Sequence, residues 1–178
     1  GVWYVQEPLS ALPHQQPATL TITSHINDMV SLIPGQNHAL IMGLMTKEQL
    51  SAIDVIFPIM HGPYGEDGTI QGLLRLANVP FVGPDVLSSA ICMDKDVMKR
   101  LAREAGIPIP AFVTVYRREM ATLDTAKILK TVGLPCFVKP ANMGSSIGIS
   151  KVKKKEELLA AIEKAMIYDH KIIIEQGV

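Results

Sequence analysis

His61-Gly62-Pro63-Tyr64-Gly65-Glu66-Asp67-Gly68-Thr69-Ile70-Gln71-Gly72 joins an apolar run to an amphipathic pattern, and that junction points to an α/β fold. The apolar run before it, Ile53 to Met60, reads as a buried parallel strand. The residues after it place Ile70, Leu73, Leu74 and Ala77 at i, i+3, i+4 and i+7, the apolar face of a helix. Glycines at 62, 65, 68 and 72 let the backbone turn tightly and approach another group closely. A strand end, a glycine-rich loop and a helix N-terminus together form the place where open α/β sheets bind small polar ligands. His61, Glu66 and Asp67 add groups able to hold a charged substrate. As an acid–base pair, His61 and Glu66 need a geometry that spacing alone does not supply.

Outward from this loop, Val2–Val5 and the alternating Thr19–Thr23 read as short strands, with Met29–Ile33 and Ala39–Met42 as further candidates. Thr46 is placed to cap a short helix through Leu50, and Pro80–Val82 forms a strand after the helix stop at Asn78. This strand–helix–strand rhythm predicts an α/β domain on a parallel sheet.

The 178 residues are 48% hydrophobic and 19% charged, a composition that buries a core and excludes a disordered chain. No apolar stretch reaches the roughly 18 residues of a membrane span, and no signal-peptide pattern opens the chain, so a cytoplasmic protein is expected. Cys92 and Cys136 sit in apolar surroundings and are expected to be buried free thiols. The five histidines show no metal-ligand spacing, and no metal-binding residue is assigned. The net charge is zero but unevenly spread: residues 1–93 carry −5 and residues 94–178 carry +5. A domain boundary near 93 follows, and the positive half suits a polyanion such as a nucleoside triphosphate. Nucleic acid is not expected, because no aromatic residues interleave with Lys151, Lys153, Lys154 and Lys155.

Beyond 93, Asp94 is placed to cap a helix whose inner face is Val97, Met98, Leu101, Ala102 and Ala105, stopped by Gly106 and Pro108. Ala111–Val115, Cys136–Lys139, Ile147–Val152 and Lys171–Glu175 read as strands, with helices near 121–131 and over Glu156–Met166. The second half is thus expected to be a four-stranded α+β layer, not a Rossmann repeat.

Phe137-Val138-Lys139-Pro140-Ala141-Asn142-Met143-Gly144-Ser145-Ser146-Ile147-Gly148 is the other informative stretch. Lys139 ends an apolar strand, a costly place for an ammonium unless it meets an anion. Gly144, Ser145 and Ser146 supply small residues and amides that could fold over phosphates. An ordinary hairpin with a snorkelling lysine is the alternative. Lys95 either is offset by Asp94 and Asp96 at its helix N-terminus or reaches a ligand phosphate. Glu175 is either a plain strand end or an acceptor for a ligand amino group.

Taken together, His61–Gly72, Met93-Asp94-Lys95, Phe137–Pro140 with Gly144–Gly148, and Ile172–Gln176 resemble the D-alanine–D-alanine ligases of the ATP-grasp superfamily. The resemblance is close over roughly residues 50–178 and loose before that. It implies a Rossmann-like pre-ATP-grasp domain over 1–93 and the first α+β subdomain of an ATP-grasp fold over 94–178. It further implies ATP-dependent joining of two D-alanines through an acyl phosphate, for peptidoglycan; the alternatives are a D-Ala–D-lactate or D-Ala–D-serine ligase and a non-catalytic ATP-binding module. By position, Lys95 and Lys139 would bind ATP phosphates and Gly144, Ser145 and Ser146 would lie over the triphosphate. Phe137 would line the adenine pocket and Glu175 would bind the adenine amino group. Ser145, His61 and Glu66 would serve the D-alanine side, and a homodimer is expected. Family members carry a further glycine-rich loop with a glutamate before the matched region. After it they carry a third lobe with the Mg2+ carboxylates, an arginine and the loop selecting the second substrate. The sequence therefore resembles a segment of a ligase and is expected not to turn over alone.

Overall fold

The computed structural model describes residues 2–5, 25–35 and 39–178. Two compact units result, one of residues 1–58 and 72–83 and the other of residues 59–71 and 84–178. The charge change at 93 and the packing break at 83/84 are therefore ten residues apart.

The first unit holds a four-stranded sheet in the order β1 (Trp3–Tyr4), β2 (Met29–Ile33), β3 (Ala39–Gly43), β4 (Gln49–Ile53). All its pairings are antiparallel, with a register shift between Ile41 and Met42. Ala39, Ala77 and Val79 are buried together against Leu32, Ile53 and Ile56. The α/β class expected from sequence holds, but the parallel sheet does not. Among the described residues, parallel pairing is confined to one bridge, Ile56 to Phe81, with Ile56 N donating to Pro80 O and Val82 N to Ile56 O. The expected strand 53–60 therefore ends at Ile53, and the expected helix at Thr46–Leu50 gives way to β4. Pro58 is the physical reason for the first correction, since it cannot donate to a ladder. The β3 partner explains the second, because tertiary pairing overrides a weak local helix signal. The expected strand Thr19–Thr23 lies outside the described residues.

The second unit contains α2 (Val86–Met93), α3 (Lys95–Glu104), β5 (Phe112–Tyr116), α4 (Thr125–Val132), β6 (Cys136–Pro140), β7 (Ser150–Val152), α5 (Leu158–Met166) and β8 (Lys171–Gln176). Its sheet runs β5-β8-β6-β7, antiparallel throughout. The four strands expected from sequence are present, within a few residues at each end. Helix α2 was missed; Asp85 caps it by accepting from Ser88 N at 2.8 Å. Cys136 is buried, but Cys92, expected inside, is exposed on α2.

Residues paired directly across an antiparallel sheet share a face. One face of this sheet aligns Val113, Ile174 and Val138, then Val115, Ile172 and Pro140, with Cys136 opposite Gln176 on the same face. Its hydrophobic side chains join Ile128, Val132, Leu158, Ile162 and Ala165 in a single apolar core under α4 and α5. The other face aligns Phe112, Glu175, Phe137 and Lys151 in one row, and Thr114, Ile173 and Lys139 in the next. Its elements carry charge where the first face carries hydrocarbon. Helix α3 belongs to this second face. Its buried side chains are Asp96 and Lys99, while Leu101, expected inside, is 48% exposed. That correction has a simple cause: strands offering Thr114, Lys171 and Glu175 require polar partners, not an apolar helix stripe.

Candidate functional site

The glycine-rich loop, numbered 59–71 within the second unit, is built by its own acidic residues. Glu66 accepts from Gly62 N at 2.5 Å, and Asp67 accepts from Tyr64 N and Thr69 N, each at 2.9 Å. Asp67 thereby closes the entry to α1 (Thr69–Leu76). Burial works to raise its pKa, but the hydrogen bonds from Thr69 and Tyr64 outweigh that and hold it low. Gln71 Nε2 ties the turn to Gly65 O at 3.0 Å. Gly68 has φ +92°, and a Cβ there would meet Val86 O at 2.7 Å, so no other residue fits.

This loop brings His61 to the serine loop. His61 Nε2 lies 2.5 Å from Ser145 Oγ, and His61 Nδ1 lies 3.4 Å from Glu66 Oε2. Ser145, His61 and Glu66 therefore form one continuous polar chain. The hydrogen bond runs from whichever of Ser145 Oγ and His61 Nε2 carries the proton. The serine loop itself is left-handed at two successive non-glycine residues, Ser145 (φ 50°) and Ser146 (φ 60°). Such backbone is sparsely populated for L-residues and collects at functional loops. Gly148 anchors the far end at φ +71°, where a Cβ would fall 2.7 Å from Tyr168 and 2.8 Å from Pro140.

The near end is held more firmly. Ala141 N donates to Lys171 O and Lys95 N to Ala141 O, both at 3.0 Å. The Asp169 carboxylate accepts from Asn142 N at 2.8 Å and Asn142 Nδ2 at 3.1 Å. Lys95, first residue of α3, donates from Nζ to Met143 O at 2.6 Å. Burial and then the nearby Lys139 charge lower its pKa, outweighing the opposite pull of the Asp169, Asp94 and Glu175 carboxylates.

Lys139 and Glu175 form an ion pair on the polar face of the sheet. Lys99 Nζ reaches the other oxygen of the same carboxylate at 3.0 Å. Burial tends to raise the Glu175 pKa, and the hydrogen bonds from Lys139 and Lys99 more than reverse it. Phe137 lies beside Glu175 in register, with Lys139 Nζ and Lys151 Nζ 5.5 and 5.3 Å from its ring centre.

Behind α3 lies a second ionic cluster. Asp94 caps the helix through Asp96 N and Val97 N and pairs with Lys171. Asp96 accepts from Thr114 Oγ1 at 2.6 Å and Arg100 Nε at 2.7 Å, with Lys171 3.7 Å away. Burial would raise the Asp96 pKa, yet the Thr114 and Arg100 hydrogen bonds bring it down. Lys99, Asp169 and Lys171 were missed from sequence, and Asp96, expected to offset Lys95, instead binds Thr114 and Arg100. The available signal was the spacing of Asp96, Lys99 and Arg100, which share one helix face, together with two charged residues bracketing the Ile172–Ile174 run.

Asp96 and Glu175 bind protons less readily folded than unfolded. Their stabilisation is therefore present above the ordinary carboxylate range, near pKa ~4, and is lost as pH falls through their lower folded-state values. Acid unfolding followed by circular dichroism is expected to become less steep in Asp96→Asn; an identical acid limb would contradict this.

Among the described residues, every sequence-nominated side chain, namely His61, Glu66, Lys95, Phe137, Lys139, Ser145, Ser146 and Glu175, together with Gly144, lies in the second unit. No group of three or more His, Cys, Asp or Glu among the described residues is arranged to hold a metal ion. No helix among them is long and apolar enough to cross a membrane.

Comparison with known proteins bears on the same residues. The family model described as D-ala D-ala ligase N-terminus matches residues 1–84, and the one described as D-ala D-ala ligase C-terminus matches residues 101–178. D-alanine–D-alanine ligase A of Chromobacterium violaceum is 45% identical over the whole chain, and that of Escherichia coli is 44% identical. The chain spans about half the length of these curated relatives, 49% in each case. Among solved structures, the VanG D-Ala:D-Ser ligase of Enterococcus faecalis superposes with TM-score 0.72 at 39% identity, covering 85% of this chain and 43% of that one. The D-alanine–D-alanine ligase of Coxiella burnetii gives 0.73 at 34% identity, covering 84% and 41%. The mixed α/β architecture is thus that of the D-Ala ligases, which are ATP-grasp proteins. By both family models and by identity along its entire length, the chain belongs to the D-alanine–D-alanine ligase family.

Proposed function

We propose that these residues supply the nucleotide-binding face and part of the amino-acid pocket of an ATP-dependent D-alanine–D-alanine ligase serving peptidoglycan synthesis. The observation that carries this is Lys95, whose ammonium reaches Met143 O at the start of the small-residue loop, with a second cation, Lys139, close enough to act on its charge. The amides of Gly144, Ser145 and Ser146 donate to no backbone acceptor among the described residues. Nothing would crowd a Cβ at Gly144 within 4 Å, so the loop leaves room above it. Cations with unclaimed amides are what a triphosphate requires. The lowered pKa of Lys95 points the same way, since an anion there relieves the cation–cation repulsion.

In this reading ATP phosphorylates the carboxylate of one D-alanine; the amine of a second attacks the acyl phosphate and phosphate departs. Lys95 and Lys139 neutralise the phosphates, and the serine loop closes over them. His61, braced by Glu66, orients Ser145 toward the amino-acid substrate. Phe137 offers an apolar wall for the base. Mg2+ would offset further phosphate charge, but the described residues offer no ligand set for it, so no step is assigned to it. Residues 1–93 then serve as the pre-ATP-grasp domain and 94–178 as the first ATP-grasp subdomain. A homodimer in the cytoplasm completes the proposal; sedimentation equilibrium tests the dimer. The 39% identity to a D-Ala:D-Ser ligase favours D-serine as an alternative second substrate.

Lys139→Ala is expected to weaken ATP binding about tenfold or more, the scale of a lost hydrogen bond to a charged group. Calorimetry checks it, and unchanged affinity would count against the phosphate role. Incubating the full-length protein with ATP, D-[14C]alanine and either D-alanine, D-serine or D-lactate identifies the product. No dipeptide or depsipeptide in any of the three would sink the ligase reading.

A further inference from the structure

The serine loop has little of its own to hold its shape. Its internal backbone bonds are two turns, Ile147 N to Gly144 O at 3.1 Å and Ile149 N to Ser146 O at 3.4 Å. Ser145 and Ser146 both stand in left-handed backbone, which persists only where the surroundings hold it.

Both ends of the loop rest on one turn, residues 167–170, between α5 and β8. At the entry, Asp169 Oδ2 accepts from Asn142 N at 2.8 Å and from Asn142 Nδ2 at 3.1 Å. Its Oδ1 accepts from Lys171 N at 3.1 Å and lies 3.2 Å from His170 Nδ1. The Asp169 side chain is 6% exposed, so little water can replace a lost partner. At the exit, the Tyr168 ring lies against Gly148, where a Cβ would fall 2.7 Å from Tyr168 Cδ2. Consecutive residues of one turn therefore grip residues 142 and 148.

The turn is itself fixed from the sheet and the helix. Arg117 Nη2 donates to Met166 O and to Asp169 O, the latter at 3.3 Å, and Arg117 N donates to His170 O at 2.8 Å. Tyr168 N and Asp169 N both donate to Ala165 O, at 3.1 and 3.3 Å, on a buried turn of α5.

We propose that Tyr168 and Asp169 are positioning residues for the nucleotide phosphates: they hold the two ends of the serine loop so that its amides meet the phosphates already aligned. This rests on the reading above that the loop lies over phosphate. With either end freed, ATP has to order residues 143–147 as it binds, and its affinity falls by that cost. Charge works in the other direction. Asp169 acts on the Lys95 ammonium, so removing its charge alone would favour a polyanion. Weaker ATP binding in Asp169→Asn therefore reports the loop and not the lost charge.

The test is calorimetry with ATP on the full-length protein, with adenosine measured by its displacement of ATP. The variants are Asp169→Asn, Asn142→Ala, Tyr168→Ala, Tyr168→Phe and Lys95→Met, each assayed below its melting transition. Asp169→Asn leaves a single acceptor oxygen for donors on two sides, and Tyr168→Ala removes the ring from Gly148. Each is expected to weaken ATP about tenfold, the cost of ordering a few side chains and losing a charged hydrogen bond. Asn142→Ala, which drops only the side-chain half of the grip, is expected to weaken ATP about threefold and carries the entry-end test if Asp169→Asn does not fold. Adenosine, which has no phosphate, stays within about twofold throughout, and Tyr168→Phe keeps ATP affinity because the ring remains. The proposal is overturned if freeing either end leaves ATP affinity at the parent value, or if adenosine weakens as much as ATP. Lys95→Met separates the two readings. If it also leaves ATP affinity unchanged, the phosphate reading falls and takes the positioning role with it; if it weakens ATP while the end-freeing variants do not, the positioning role alone falls.

Discussion

Lys171→Met is expected to destabilise the second unit by about 3–5 kcal/mol, the cost of stripping one partner from a buried charge group. Lys171 is 8% exposed and is the cation shared by Asp94 and Asp96. Removing it leaves two carboxylates close together in a site with little water. Asp96 retains Thr114 and Arg100, but Asp94 keeps only the helix amides that it caps. Burial would lower the Lys171 pKa, yet the Asp94 hydrogen bond and charge raise it above the ordinary lysine value. That stabilisation is therefore complete below the unfolded pKa near ~10.4 and fades only as pH rises through the higher folded value. Urea unfolding at pH 7 and in strongly alkaline buffer checks both parts. A loss under about 1 kcal/mol, the level of an exposed pair, would show that water reaches the cluster.

Ile174→Ala is expected to cost about 2–5 kcal/mol for the cavity it leaves in a packed core. Ile174 is fully buried, on the strand that pairs with both β5 and β6, and faces Val113 and Val138. Ile173, its equally buried neighbour, points to the opposite face beside Thr114 and Lys139. The two alanine variants separate the faces: Ile174→Ala should lower the urea midpoint more than nucleotide affinity, and Ile173→Ala should disturb both. Equal effects on both readouts would contradict the two-faced sheet.

Much of the second unit was legible because its signals were local. Asp94 as a cap, Gly106 as a stop and the short apolar strands each depend on neighbours a few residues away. Lys139 and the serine loop were also legible, since a lysine ending an apolar strand asks for an anion. The first unit was harder. The run 53–60 has the hydrophobicity of a strand, yet whether it pairs is decided by Pro58 and by partners distant in sequence. Helix α3 was read only in part for a related reason: Val97, Met98 and Ala102 are half-buried as expected, but Leu101 and Ala105 are exposed and Asp96 and Lys99 are buried. Amphipathic patterning presumes an apolar target, and here the surface beneath the helix carries Thr114, Lys171 and Glu175. Only the register of β5 against β8 reveals that.

That register has a consequence for how such a protein fails. Along β8, odd and even positions serve two masters, the ions of the polar face and the oil of the core. A slip by one residue would drive Glu175 into the hydrocarbon layer and lift Ile174 into its place. The same misalignment would therefore disturb the apolar core and the charged face together.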